Sequence, residues 1–170
     1  DFDLGIAMTS PSGPTSYDNT LITNNWIRLT ADSSAGVDSG QNIGIVLGGG
    51  VNQTVSENLI SFPGTGISGV AHPYAVSIGI QTSSQGVSSY DGLQIVDNTL
   101  TVLGPQDASN PEVIQGIWEN GFAHSSDISV SGNVFQNLHA SNNPTTNRQQ
   151  AFLVTSHSST GTRSEEHTSE

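Results

Sequence analysis

The sequence predicts an all-β solenoid, a stack of short parallel strands built from one repeating unit. Three observations predict it. A phrase of branched aliphatic, two polar residues, asparagine, any residue and large apolar residue returns at Ile22/Asn25/Ile27, Val55/Asn58/Ile60, Ile95/Asn98/Leu100 and Val130/Asn133/Phe135. Its asparagines lie 33, 40 and 35 residues apart, and self-similarity at such spacings marks a small unit stacked on itself. A second apolar segment recurs ahead of each phrase, and no stretch carries a helical stripe with caps.

The unit opens on that apolar segment: LGIAM at 4–8, IGIVL at 43–47, AVSIGI at 75–80, VIQGIW at 113–118 and AFLV at 151–154. Taking Ile6, Ile45, Ile80, Ile117 and Leu153 as equivalent gives steps of 39, 35, 37 and 36 residues, the same period of about 36. Short β-branched segments bounded by Gly, Ser, Asn or Pro read as strands. The asparagine phrase follows, with inward-facing apolar residues three before and two after the asparagine. The asparagine itself is expected at the corner between two strands, in the left-handed conformation it tolerates better than other non-glycine residues. Stacked about 4.8 Å apart, Asn25, Asn58, Asn98 and Asn133 can hydrogen-bond as a ladder, since each amide is both donor and acceptor. Replacing Asn98 with Ala is expected to cost on the order of 1–2 kcal/mol. The rest of each period falls in loops at 28–42, 61–74, 103–112 and 138–149.

Residues 163–170, RSEEHTSE, resemble the in-frame translation of a widely used short-read sequencing adapter, and are set aside as an artefact without structure. Residues 1–162 are then expected to be one repeat domain, an internal fragment truncated at both ends. Without the tail the chain has twelve acids against Arg28 and Arg148, a net charge near −10, with no lysine and no cysteine. That balance lacks the cationic footprint nucleic acid or an anionic membrane surface requires. No run approaches the roughly 20 apolar residues of a membrane span, so no membrane insertion is expected in this fragment. Disulfides and thiolate chemistry are excluded. Uncharged polar surface with few cations suits a secreted or surface-exposed bacterial repeat protein, and a salt-adapted organism accounts for the acidity equally well.

The phrases ITNNWI, VSENLI, IVDNTL and VSGNVF resemble the corner of right-handed parallel β-helix repeats, the pectin-lyase-like superfamily. The resemblance covers most of residues 4–155 and rests on patterning, without a catalytic signature. It implies a right-handed parallel β-helix of about four to five coils with long loops. The period is longer than is common for such coils, and the loops account for the excess. A propeller blade has a similar period, but usually needs four strands per repeat where this sequence supplies about three.

The resemblance also implies a chemistry to look for. Lyases of the superfamily need an Arg or Lys base with carboxylates holding calcium against an acidic sugar, and hydrolases need carboxylates a set distance apart. Neither set is present, and no residue is assigned as catalytic, cofactor-binding or metal-ligating. Asp32, Asp38, Asp107 and Glu112 fall in the loops after the corner, where calcium is the one cofactor left open, although such residues also serve turns. Trp26 follows the corner asparagine and, by alternation, points outward, which makes it the best candidate for a carbohydrate contact. His72 and Tyr74, in AHPY at 71–74, are the next candidates. Tyr17 and Tyr90 are weaker ones. Trp118 reads as core or a loop anchor. His124, His139 and His157 lack ligand spacing. The glycines at 48–50 read as a turn and not a phosphate loop. The Asn52–Thr54 glycosylation pattern has no meaning in a bacterial protein.

The expected function is a structural or adhesive segment of a secreted or cell-surface β-helix protein, contacting polysaccharide or cell-surface glycans through its loops and continuing into further coils. The second reading is a non-catalytic portion of a polysaccharide-acting lyase, hydrolase or epimerase. A trimeric tailspike-like fibre is a third.

Overall fold

The structure, a computed structural model, describes residues 2–8, 16–29, 40–62, 74–82, 89–102, 113–119, 125–136 and 149–154. Those residues hold strands and turns and no helix. The first unit contains β1 (Phe2–Ala7), β2 (Leu21–Thr23) and β3 (Trp26–Arg28). The second contains β4 (Gly40–Leu47), β5 (Gly50–Val51), β6 (Thr54–Ser56) and β7 (Leu59–Phe62). The third repeats it with β8 (Tyr74–Thr82), β9 (Tyr90–Asp91), β10 (Gln94–Val96) and β11 (Thr99–Val102). The fourth has β12 (Val113–Glu119), β13 (Ser129–Ser131) and β14 (Val134–Gln136), and β15 (Gln149–Val154) opens a fifth.

Among the described residues all strand pairing is parallel and runs between units. The long strands form one sheet in the order β1-β4-β8-β12-β15, the strands before the corner a second, β13-β10-β6-β2, and those after it a third, β14-β11-β7-β3. A two-stranded sheet joins β5 to β9, and Asp91 bridges onward to Ser126. Each strand therefore pairs with its equivalent in the next unit, in chain order, which is a stacked, β-helix-like arrangement. A propeller blade pairs its strands within the repeat, so that alternative is excluded. The estimate of about three strands per unit is corrected to four in the second and third units. The two-residue strands β5 and β9 are too short to register as alternation.

Register turns the sequence repeat into columns. Ile22, Val55, Ile95 and Val130 stack on one another, as do Ile27, Ile60, Leu100 and Phe135. Ile6, Ile45, Ile80 and Ile117 form a third column on the long-strand sheet. These columns meet in one interior, where Ile45, Ile60, Ile80, Val55, Ile95, Leu100 and Ile117 are fully or almost fully buried. The marker of the fifth unit is corrected by one residue, because Ile117 pairs with Phe152 and Leu153 pairs with Trp118.

A glycine precedes each isoleucine of the third column: Gly5, Gly44, Gly79 and Gly116. The pairing skips it in each unit, passing from Leu4↔Ile43 to Ile6↔Ile45 and from Ile43↔Ile78 to Ile45↔Ile80. The skip has a consequence that strict alternation would not give. Ile43 and Ile45 belong to different clusters: Ile45 to the main interior, Ile43 to a smaller group with Val46 and Ile78 against which the half-buried Trp118 packs. The offset is 39 residues on both sides of Gly5 and 35 on both sides of Gly79, so the glycines lie opposite one another and no strand gains a residue on its partner. The same irregularity in each strand turns the side chains that follow it to the other face. A side chain does not fit at Gly5, Gly44 or Gly79. A Cβ on Gly44 would lie 2.6 Å from the Gly79 carbonyl oxygen and 3.0 Å from Ile60 Cγ2, and one on Gly79 2.6 Å from the Gly116 oxygen and inside Leu100. We expect Gly79→Ala to destabilise the chain by about 1–3 kcal/mol, the range for overpacking a filled interior, read as a lowered midpoint of thermal or denaturant unfolding.

Candidate functional site

The corner between the second and third sheets is the most regular site among the described residues. Its turn is made by the residue before the asparagine. Asn24, Glu57, Asp97 and Gly132 all have positive φ, between 56° and 65°, whereas Asn25, Asn58, Asn98 and Asn133 do not. The expectation that the asparagine takes the left-handed conformation is therefore corrected. The left-handed residue swings the chain around, and the asparagine that follows turns its side chain into the interior, where an amide can reach the backbone of two units at once.

The asparagine amides hydrogen-bond from unit to unit. Asn25 Nδ2 donates to Asn58 Oδ1, Asn58 Nδ2 to Asn98 Oδ1 and Asn98 Nδ2 to Asn133 Oδ1, each at 2.9 Å. Each accepting Oδ1 also receives the backbone N–H of the asparagine before it, at 3.0, 3.1 and 3.0 Å. The second hydrogen of each amide goes to a carbonyl: Asn58 to Ile22, Asn98 to Val55 and Asn133 to Ile95, at 3.0, 2.9 and 2.8 Å. Asn58 and Asn98 are buried. Both oxygen lone pairs and both amide hydrogens of these side chains are engaged, so their burial leaves no unmet hydrogen bond.

A second left-handed column marks the preceding corner, at Asn19, Asn52, Gly92 and Asp127. Its side chains face water, and here too bonds run from unit to unit, Asn52 Nδ2 donating to Asn19 Oδ1 at 3.4 Å. Asp18 Oδ1 accepts the Val51 N–H at 2.9 Å and the Ser16 hydroxyl, and the Ser126 hydroxyl donates to Asp91 Oδ1 at 2.6 Å. The Ser16 hydroxyl first, then the Val51 N–H, holds the Asp18 carboxyl below the ordinary aspartate range. A depressed folded value means that this stabilising contribution is present above the ordinary aspartate pKa and is lost as pH falls through the lowered one.

Outside the main corner, Trp26, Leu59, Thr99 and Val134 stand in one row, paired strand to strand. Trp26 is 74% exposed, Val134 47% and Leu59 38%, and Leu21 is exposed on the adjoining sheet. Arg28 is exposed two residues beyond Trp26. Tyr90 is buried, its hydroxyl donating to the Leu47 carbonyl at 2.8 Å, and so is unavailable to a ligand. Tyr17 is half-buried: a Cβ on Gly48 would run 2.6 Å from its ring, and one on Gly50 2.5 Å from its carbonyl oxygen. The glycines at 48–50 thus give Tyr17 room where the chain enters β5.

Tyr74 begins β8, where its backbone pairs with Gly40. His72, His124, His139, His157, Asp32, Asp38, Asp107, Glu112, Arg148 and the segment 163–170 lie outside the described residues. Among the described residues, no three His, Asp or Glu side chains gather where they could hold a metal ion. The features that sequence reasoning missed are the two left-handed columns and the skipped glycines. Their signals were present: Gly-Ile at 5–6, 44–45, 79–80 and 116–117, and Asn, Glu, Asp or Gly directly before the corner asparagine. Comparison with protein-family models, curated proteins and solved structures finds no match for this chain.

Asn98→Ala would leave the buried N–H of Asn58 without its acceptor, and we expect a loss of about 1–3 kcal/mol by denaturant unfolding. Asn25→Ala should cost less, because the Asn25 oxygen receives no bond among the described residues. Ser16→Ala should raise the Asp18 titration midpoint towards the ordinary aspartate value, measured by NMR of the carboxyl carbon, while leaving the fold intact.

Proposed function

We propose that this chain is part of a right-handed parallel β-helix of the pectin-lyase-like kind, and that it serves as a structural and adhesive rod outside a bacterial cell, contacting glycans through its outer surface. The observation that carries this reading is the row beside the corner. A tryptophan 74% exposed, in register with Leu59 and Val134, sits on a scaffold whose interior is already filled. Large apolar side chains are normally withdrawn from water, and a flat aromatic surface on a stiff support suits the apolar face of a sugar ring. Stiffness follows from the architecture, since each unit packs only on its neighbours and lengthens the stack without changing its cross-section. The scarcity of cations and the net charge of −12 favour glycans over nucleic acid as partners.

A glycan array probed with the whole chain tests the reading. Binding to a defined group of glycans that Trp26→Ala weakens at least tenfold, without a change in melting temperature, is the expected result. An array on which the chain binds no glycan would overturn it.

A further inference from the structure

The row of Trp26, Leu59, Thr99 and Val134 has an acidic neighbour. One step back around the corner, the left-handed column places Asn24, Glu57, Asp97 and Gly132 on the outside, and Glu57 and Asp97 occupy consecutive units. Both are exposed, and neither carboxylate has a hydrogen-bond or ion-pair partner among the described residues. Gly132 gives the Asp97 carboxylate room, because a Cβ there would overlap Asp97 Oδ1. Arg28, the one cation among the described residues, stands two residues past Trp26, on the far side of it from the acids. The surface thus combines an aromatic and apolar row with two carboxylates in adjacent units, about one strand spacing of 4.8 Å apart, that have no partner among the described residues.

We propose that this surface binds an extended cationic amino-sugar polymer laid along the stack, one ring stacked on Trp26, apolar ring edges on Leu59 and Val134, and an ammonium group held between Glu57 and Asp97. The inference rests on the glycan-contacting reading above and names the class of glycan. Three features select it. The row takes the apolar faces of pyranose rings, which a peptide or lipid headgroup does not offer in a regular series. The carboxylates form charge-assisted hydrogen bonds with ammonium donors. The same carboxylates, on a chain of net charge −12, repel polyuronates and sulfated glycans. Successive rings of an extended β-1,4-linked chain are turned over, so ammonium groups on one edge recur at every second ring, and two carboxylates one strand spacing apart can flank one of them.

Calorimetric titration of the whole chain tests this with a β-linked glucosamine hexamer, its fully N-acetylated counterpart, polygalacturonate and a lysine peptide matching the first in charge. The expected result is binding to the glucosamine hexamer at least tenfold tighter than to the other three, weakening as salt is raised. Trp26→Ala and the double variant Glu57→Gln/Asp97→Asn should each reduce it at least tenfold. All three positions are exposed, and an unchanged thermal melt confirms that the variants fold. Equal affinity for the hexamer and the lysine peptide would reduce the effect to general charge attraction and overturn the proposal. So would equal binding of the acetylated and free amino sugars, or full binding by the Glu57/Asp97 variant. In those two cases the glycan reading stands while its assignment to amino sugars fails. Absence of binding to every glycan on the array removes both.

Discussion

The structure depends on vertical register, and the corner asparagines hold that register where the backbone alone could slip. Parallel strands bond evenly along their length, so a sheet of short strands has little in its own ladder to forbid a shift by one residue. Such a shift would carry every interior side chain to the outside. The Asn58 and Asn98 amides penalise it at a single point. Each binds the asparagine in the unit on either side and a carbonyl one unit back, and each is buried, so a displaced unit would strand several polar groups away from water. Apolar columns prefer the same alignment but tolerate error, because one isoleucine packs on another in many ways. The amides do not.

Fixed register makes each position in the unit answer to the position above and below it, and several sequence choices follow. The skipped glycines in the long-strand sheet are mutually required, since a Cβ on Gly5 or Gly44 meets the carbonyl oxygen of the next glycine in the column, at 2.5 and 2.6 Å. The left-handed columns show the opposite case, a position that demands a conformation and accepts any residue able to adopt it. Asn, Asp and Gly serve there at little strain, and Glu57 at more. Gln53 marks where the interior departs from its own pattern. It is buried in the place that Leu93 fills one unit later, and its Nε2 donates to the Tyr17 and Gly48 carbonyls at 2.8 and 2.9 Å while its Oε1 has no partner. Gly50 stands where the next unit has the ring of Tyr90, and the glutamine amide takes up part of that space.

The parts legible in the sequence were those in which one residue type recurs because one environment recurs. Asn25, Asn58, Asn98 and Asn133 and the aliphatic residues around them could be read directly, since a buried amide column and its apolar walls admit few substitutes. The turn itself was misassigned. Asparagine is the best-known non-glycine residue for a left-handed corner, so the repeated asparagine drew the assignment away from the varied residue before it. Glu57 and Asp97 share a conformation with Gly132 that their chemistry does not advertise. The glycine column was hidden differently: an isolated glycine in a strand has several meanings, and only the pairing separates a skipped residue from a paired one. The outward position of Trp26 followed from counting alternate residues away from Asn25. What touches Trp26 does not follow from any count.

That division between inside and outside bears on where a function can arise in such a chain. Interior positions are constrained by four-fold repetition, and a change in one unit must be absorbed by its neighbours. Outward positions are free of that demand, because neighbouring side chains on the surface need only avoid collision. The row beside the corner shows how unequal they become, running from Trp26 through Leu59 and Thr99 to Val134, while the inward partners run Ile27, Ile60, Leu100, Phe135. Paired strands hold the backbone beneath the outer rows in place, so even a few chosen side chains present an evenly spaced surface, and binding need order only the side chains themselves. A long ligand with a repeat near the strand spacing gains from each further unit it covers. On the proposed reading, recognition of an extended polymer would draw on this geometry, and its specificity would rest with the uneven outer residues, Trp26, Glu57 and Asp97 foremost.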